Sequence, residues 1–517
     1  MAAPSEKLAR SLEALKALQD RGVVAIRSSD LERTDRERLT ANGFLLPVIK
    51  GWYVPARPDG TAGESTAWYA SFRDFCASYL NERFGKDWCL SPEQSLLIHA
   101  GNRTVPRQLL VRAPKGDNKL TNLLHGTSLL SVRLKGPDEK DIEVTSEGLR
   151  LYALGPALID CPPAIFQQNP TDIRAALAMI RDASELLAKL LEGGHSTIAG
   201  RLAGALRNIG RERIADEIIE TMRAADYDVR ESDPFETRPP AILSTRERSP
   251  YVNRMRLTWQ TMRDPIIERF PQAPGLPKDI RSYLEHVDDV YVSDAYHSLS
   301  IEGYRVSAEL IERVRNQDWN PDEDDEDREH RNALAARGYY QAFQVVRESV
   351  SKVLKGADSG TTAEEDHRTW YRELFAPGIT AGLLKPADLA GYRNGLVFIR
   401  RSMHTPPKPE AVRDLMPALL DLLTEEEDPA VRVVLGHFMF VYIHPYMDGN
   451  GRMGRFLMNV MLASGGYPWT IVPAPQRKPY MAALESASVD NDIIPFTDFL
   501  AKLVKASLAG EPAPNAS

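Results

Sequence analysis

Cysteine is scarce. Three occur in 517 residues, Cys76, Cys89 and Cys161, and none stands at metal-ligand spacing. That suits a reducing compartment, and a cytoplasmic location is expected, with each thiol a small buried or surface side chain. Also missing is any run near the ~20 apolar residues that cross a bilayer, so no membrane partner is expected. Met1 to Arg10 has no apolar core, which argues against a secretory signal. Excess positive charge is absent too. Lys and Arg number 64 against 72 Asp and Glu, a net charge of −8. Wholesale coating of nucleic acid is therefore excluded, and only a local basic face is left open. No internal repeat is visible. What remains, 43% hydrophobic and 26% charged, is ordinary for a globular protein, and the length predicts two to four domains.

Residues 1–58 read as helix, short strand, helix and β-hairpin. Leu8, Leu12, Leu15 and Leu18 lie at helical spacing, and Gly22 closes that helix. Val23 to Ile26 is strand-like, Ser28-Ser29-Asp30 offers a helix start, and Leu45 to Val54 turns at Gly51. This order resembles a winged helix-turn-helix and the N-terminal domain of AbiE-type antitoxin regulators. Its second helix carries Arg33, Arg36 and Arg38 but also Glu32, Asp35 and Glu37. DNA binding and protein contact, including a homodimer, both stay open.

Residues 59–228 form a mixed α/β and helical module. An aromatic stripe (Trp68, Tyr69, Phe72, Phe75, Tyr79) marks a core-facing helix, and strands are expected at 108–112, 128–134 and 142–144. The pattern turns helical from Thr171 to about Ala225. The Pro- and charge-rich stretch 229–250 reads as a linker, 251–508 as the chemical domain, and 509–517 as a disordered tail. Asp322 to Asp327, with His330 behind it, is expected to be a charged loop rather than a metal site.

The chemistry concentrates in His444-Pro445-Tyr446-Met447-Asp448-Gly449-Asn450-Gly451-Arg452-Met453-Gly454-Arg455. Apolar segments flank it at Val433–Ile443 and Phe456–Ala463, so it reads as a tight loop opening a second helix. Free N–H groups and the dipole at a helix N-terminus make an anion site. Gly449 and Gly451 let backbone bend and approach a ligand. Arg452 and Arg455, three apart, can converge on one anion. Asp448 is a hard oxygen ligand for Mg²⁺ beside phosphates, and His444 has a pKa suited to general-base work. The glycines also spell G-x-G-x-x-G, but a dinucleotide site needs a preceding strand and an acidic residue about twenty positions later. The segment before them looks helical, and Trp469 and Thr470 stand where the acid would be.

The twelve residues resemble the Fic-family signature H-x-F-x-[DE]-G-N-G-R-x-x-R, with Tyr446 for the usual Phe. Upstream, Ser298 with Glu302-Gly303 fits the family's inhibitory pattern [ST]-x-x-x-E-[GN]; a helix closed by Gly303 is the plain reading, and both can hold. Leu396, Val397, Phe398 and Ile399 resemble the flap, a β-hairpin that pairs with a protein target by β-augmentation. Arg477-Lys478-Pro479-Tyr480 resembles a segment beside the nucleotide base, with Met481 where a second Tyr is common.

The expected fold is thus multidomain α+β: a mainly helical Fic domain with a hairpin flap, behind a winged-helix-like domain and a mixed α/β module. The resemblance implies a protein adenylyltransferase with ATP as substrate and Mg²⁺ (or Mn²⁺) as cofactor. In it His444 is catalytic and Asp448 binds the metal. Gly449, Asn450, Gly451, Arg452, Gly454, Arg455 and Tyr480 bind ATP. Glu302, with Ser298 and Gly303, inhibits. A protein docked on the flap, or the chain itself, receives AMP, and removal of AMP is a further implied activity. Gly451, where a phosphorylating branch has Lys, favours nucleotidyl transfer. The rival is a DNA- or partner-binding regulator whose Fic half senses nucleotide or modifies itself.

Overall fold

The computed structural model describes residues 4–58, 65–237, 247, 249–316 and 330–516. Part of the expected linker (238–246 and 248) and all of the acidic run Asp322–Asp327 lie outside the described residues. The chain divides into two compact units, one of residues 1–254 with 398–405, the other of 255–397 with 406–517.

In the first unit the helix Pro4–Gln19, the strand Ile26–Arg27, the helix Arg33–Ala41 and the strands Leu45–Ile49 and Trp52–Pro55 follow in the expected order. The last strand lies centrally, with Ile26 opposite Tyr53 and Leu46 opposite Val54. Leu15, Leu18, Ile26, Leu31, Leu39 and Leu45 form a small core beneath it. The arginines of the second helix are answered from within. Arg33 pairs with Glu37 at 2.7 Å and Arg38 with Asp35 at 3.2 Å, while Arg36 donates to the Ser28 carbonyl at 2.6 Å.

The helix Thr66–Phe84 then buries Trp68, Phe72 and Phe75 against a four-stranded sheet. Its order is Cys89–Leu90, Gln108–Ala113, Ser128–Arg133, Leu120–Asn122, with the central pair parallel and both edges antiparallel. The Trp68 indole N–H donates to Thr127 Oγ1 at 2.9 Å, which satisfies the polar atom that burial would otherwise strand. Helices from Leu154 to Ala224 complete the unit.

The second unit is helical. Its centre is the helix Pro429–Ile443, apolar on every face and buried along almost its whole length. Such a helix folds only when surrounded. Asp428 fixes its start by accepting from the Ala430 and Val431 N–H groups, and Pro429 sits at the first turn. The helix Asn450–Ser464 packs against it; a Cβ on Gly454 would stand 2.8 Å from Val441 Cγ1, so only glycine allows this approach. Residues 511–516, expected to be unstructured, have no regular structure, yet Ser293 Oγ donates to the Pro514 carbonyl at 2.6 Å. Among the described residues no helix is long and apolar enough to cross a membrane.

In the first unit Arg254 and Asp172 form a buried ion pair at 2.6 Å, with Asn102 donating to the other carboxylate oxygen at 3.1 Å. Breaking a buried pair from one side costs ~3–5 kcal/mol. Thermal unfolding followed by circular dichroism is expected to show Asp172→Ala melting well below wild type and Asp172→Asn, which keeps an oxygen for Asn102, losing less.

Candidate active site

The loop between the two buried helices begins with strained backbone. His444 ends the helix Pro429–Ile443 in the left-handed region, φ 52° and ψ 61°, an uncommon place for a side-chain-bearing residue. Its N–H donates to the Phe440 carbonyl at 3.0 Å. Its Nδ1 lies 3.0 Å from the Val441 carbonyl. A carbonyl can only accept, so Nδ1 carries the proton and Nε2 keeps its lone pair. Burial holds the imidazole pKa below its ordinary value, helped by the Arg393 guanidinium; the Val441 bond and the Glu302 and Asp448 charges oppose this without overcoming it. The imidazole is thus neutral at physiological pH.

Asn450 closes the loop. Its Oδ1 accepts from the Tyr446 N–H at 2.9 Å and its Nδ2 donates to the Tyr446 carbonyl at 2.8 Å. The side chain is buried in this clamp, so the structure gives it a loop-holding place where a phosphate contact was expected. Gly449 starts the motif helix with φ 80°, a conformation that favours glycine. No side chain caps this helix, and its first N–H groups remain for an anion.

A carboxylate stands there. Glu302 follows the helix Tyr291–Ile301, and its Oε1 accepts from Arg455 at 2.7 Å. A Cβ on Gly451 would fall 2.2 Å from the same oxygen. Glycine is therefore what lets an acidic group lie on the start of the motif helix. Arg455 also donates through Nε to Ser298 Oγ at 2.8 Å and through the terminal nitrogen that meets Glu302 to the Ser298 carbonyl at 3.0 Å. Burial alone would raise the Glu302 pKa, but Arg455, Arg452 and Arg477 outweigh it and hold the carboxylate ionised. With 31% of its side chain accessible, Glu302 can be displaced by a competing anion. Ser298 and Glu302 are thus brought together with Arg455, far away in sequence, and Gly303 follows the helix at φ 88°.

The remaining assignments separate. Arg452 is buried between the rings of Tyr304 and Phe375, 5.2 and 5.1 Å from their centroids, with a terminal nitrogen 3.6 Å from Asp448 Oδ2. Asp448 itself projects from the loop, its side chain 68% exposed. Among the described residues no group of three acidic, His or Cys side chains could hold a metal. One projecting carboxylate beside an anion site nevertheless fits Mg²⁺, which takes one or two carboxylates and completes its shell with phosphate and water. Gly454 serves helix packing and makes no ligand-facing surface. Tyr480 is buried with its hydroxyl 2.8 Å from His437 Nε2, its pKa pushed up to about 12 by burial. It also interacts with Arg455, beneath which His437 lies.

The flap hairpin does not form. No strand is assigned between 391 and 408. Residues 396–399 have no regular structure and lead into a turn at Arg400-Arg401. The physical reason is where the backbone donors and acceptors go. The Arg401 N–H donates to Thr66 Oγ1 at 3.0 Å, the Met403 carbonyl accepts from Val105 N–H at 2.9 Å, and Pro406 and Pro407 have no N–H. Leu396, half exposed, and Met447, more so, remain at the rim.

Sequence reasoning missed Arg393 and His437, and it read Arg477 only as part of the segment beside the base. Arg393 clasps the loop, donating through Nε to the His444 carbonyl at 2.7 Å. Arg477 donates to the Ile301 carbonyl at 2.7 Å and so closes the helix before Glu302. His437 lies fully buried below Arg455, its pKa driven down to about 4 by burial. Only His437 had a signal: it stands seven residues before His444, on the same helix face.

Tyr446 stacks on Tyr371, ring centroids 3.8 Å apart and nearly parallel, with its hydroxyl buried and no hydrogen-bond partner among the described residues. An unmet buried hydroxyl costs ~1–3 kcal/mol. Tyr446→Phe is therefore expected to melt at or above the wild-type temperature, and Tyr446→Ala to fall by ~3–5 kcal/mol in denaturant unfolding.

Residues 362–462 match the model of the Fic/DOC family. Protein adenylyltransferase Fic of Nematostella vectensis is 28% identical over 281 residues, 54% of this chain and 60% of that protein. Protein adenylyltransferase Fic of Drosophila willistoni is 36% identical over 131 residues, 25% of this chain and 26% of that protein. The chain thus covers less than two thirds of either relative. Among solved structures, residues 134–508 of C. elegans Fic-1 align at TM-score 0.37 and 19% identity, covering 69% of this chain and 90% of that one. The matched segment contains His444, the whole loop and both motif arginines: this chain carries a Fic domain.

Proposed function

We propose that the protein transfers AMP from ATP to a hydroxyl side chain of a protein, itself included, and that Glu302 restrains the reaction. The observation that carries this is the carboxylate of Glu302 on Arg455 and the backbone of Gly451, at an uncapped helix N-terminus beside a neutral imidazole. A phosphate chain suits the same place. The relatives named protein adenylyltransferase support the same reading.

The acceptor hydroxyl oxygen attacks the α-phosphorus. A P–O bond forms, the α–β bridging P–O bond breaks, and pyrophosphate leaves. Nε2 of His444 takes the hydroxyl proton. Arg455 and the first N–H groups of the motif helix hold the phosphate chain, so the chain's contribution is positioning and charge stabilisation. Asp448 would hold Mg²⁺, which when bound neutralises phosphate charge. The exposed Leu396 and Met447 at the rim suit a docked target segment. With Glu302 in place, Arg455 is shared with a carboxylate, and a nucleotide would bind with its α-phosphate out of line. The regulator reading gains nothing from the N-terminal arginines, all of which have partners within their own unit.

Three outcomes follow. Glu302→Gly is expected to label itself with α-labelled ATP at least about tenfold more than wild type, because small misplacements of a reacting group cost ~10²-fold. The double variant Glu302→Gly/His444→Ala should fall ~10²–10⁴-fold; equal labelling of wild type and Glu302→Gly would reduce Glu302 to a helix-end residue. The pH profile has a defined sign. The base works unprotonated and its pKa is lowered, so transfer at saturating ATP should persist as pH drops through ~6.5 and fail only below it. Finally, EDTA should stop transfer, and Asp448→Asn should raise the Mg²⁺ concentration needed for half-maximal rate; normal turnover in either case would remove the metal from this reading.

A further inference from the structure

We infer that Arg393 is a positioning residue for the general base, one guanidinium that fixes the His444 turn and pins both stems of the segment beside it. The inference rests on the adenylyl-transfer reading of the site. Arg393 is almost fully buried, with 2% of its surface accessible. Its backbone N–H donates to the Pro445 carbonyl at 2.9 Å, and its Nε to the His444 carbonyl at 2.7 Å. One terminal nitrogen donates to the Gly395 carbonyl at 2.9 Å; the other reaches the carbonyls of Pro407 and, at 3.4 Å, Ile443.

Each of these acceptors has a job. The carbonyls of Ile443 and His444 are among those a helix leaves unsatisfied at its C-terminus, and a cation there also meets the negative end of the dipole. His444 needs the help, because its left-handed backbone persists only where the surroundings hold it. Its N–H is tied to Phe440 and its carbonyl to Arg393, which together set the direction in which the side chain leaves. The Val441 bond then sets the ring. Gly395 and Pro407 are the two ends of the excursion that carries Leu396 and Val397. Placing their carbonyls on the guanidinium that holds His444 ties the docking edge for an acceptor to the group that takes the acceptor's proton. Only a planar fork with several fixed donors can do this; an ammonium is a single point charge.

The charge has a second effect. Three charged groups act on the imidazole: Arg393, Glu302 at the end of the helix Tyr291–Ile301, and Asp448 from the loop. Arg393 alone disfavours protonation. Removing it should therefore move the acid limb of the rate profile to higher pH, which a purely structural role would not do.

The test uses the full chain in the Glu302→Gly background, with Arg393→Lys and Arg393→Gln. Calorimetry gives the ATP dissociation constant, self-labelling gives kcat, and ¹⁵N NMR titration gives the His444 pKa without turnover. The expected result is ATP affinity within about threefold of the parent and kcat reduced ~10²-fold in both variants. The His444 pKa should rise in Arg393→Gln and stay near the parent in Arg393→Lys. Unchanged kcat, or ATP affinity lost in step with kcat, would overturn the inference, as would an unmoved His444 pKa in Arg393→Gln. If Arg393→Gln does not fold, Arg393→Lys decides it: retained kcat overturns the inference, and a fall at intact ATP affinity supports it. Should Glu302→Gly itself label nothing, adenylyl transfer fails as a reading, and the NMR titration still judges Arg393.

Discussion

A buried arginine must be answered by oxygen, and the functional half of this molecule is arranged around that demand at Arg455. The residue is 4% exposed, where an uncompensated cation would be severely destabilising. Ser298 supplies a hydroxyl and a carbonyl, and Glu302 supplies the charge. The helix Tyr291–Ile301 is therefore more than a neighbour of the motif helix; its last turn completes the electrostatics of the site. On the proposed function, an incoming phosphate would take the place of Glu302 on Arg455 while Ser298 keeps its bonds, and restraint would be a competition between anions. Arg477 acts on the helix end that carries Glu302.

The catalytic loop solves a separate problem: how to turn the chain between two buried helices without exposing backbone. Asn450 closes it from inside and Arg393 from outside. Gly454 lets the two helices meet, and Gly451 leaves room for the carboxylate. The strained residue is His444 itself. Strain at that position is sustained because the donors around it are already committed, and the same commitments fix the tautomer. Base orientation and loop closure are thus one set of hydrogen bonds.

Much of this was legible in the sequence because it is local. Twelve contiguous residues specify a base, an acid, an uncapped helix start and two arginines, and their spacing alone puts both arginines on neighbouring positions. Ser298 and Glu302 could be placed by their four-residue spacing on one helix face. In the first unit the helices Pro4–Gln19 and Thr66–Phe84 and the strands Gln108–Ala113 and Ser128–Arg133 fall where the pattern put them, whereas Leu120–Asn122 and Arg150–Tyr152 had no such signal. What was not legible depends on side chains meeting from distant stretches. Asn450 and Tyr480 are polar residues in the right segment, and nothing local distinguishes a phosphate or base contact from an internal hydrogen bond. Arg393 stands at the edge of an apolar run, like any solvated arginine, and its five acceptors are gathered from three places in the chain.

The segment 396–408 shows the same limit from the backbone's side. An apolar run between Asn394-Gly395 and a proline-rich stretch reads as a hairpin, because hairpins are what such patterns usually make. A ladder, however, needs donors that are free to face each other. Here Pro406 and Pro407 have none, Arg401 donates to Thr66, and the Met403 carbonyl accepts from Val105. Residues 398–405 thereby belong to the first unit although more than a hundred residues of the second precede them. The first unit is accordingly not a contiguous stretch of chain.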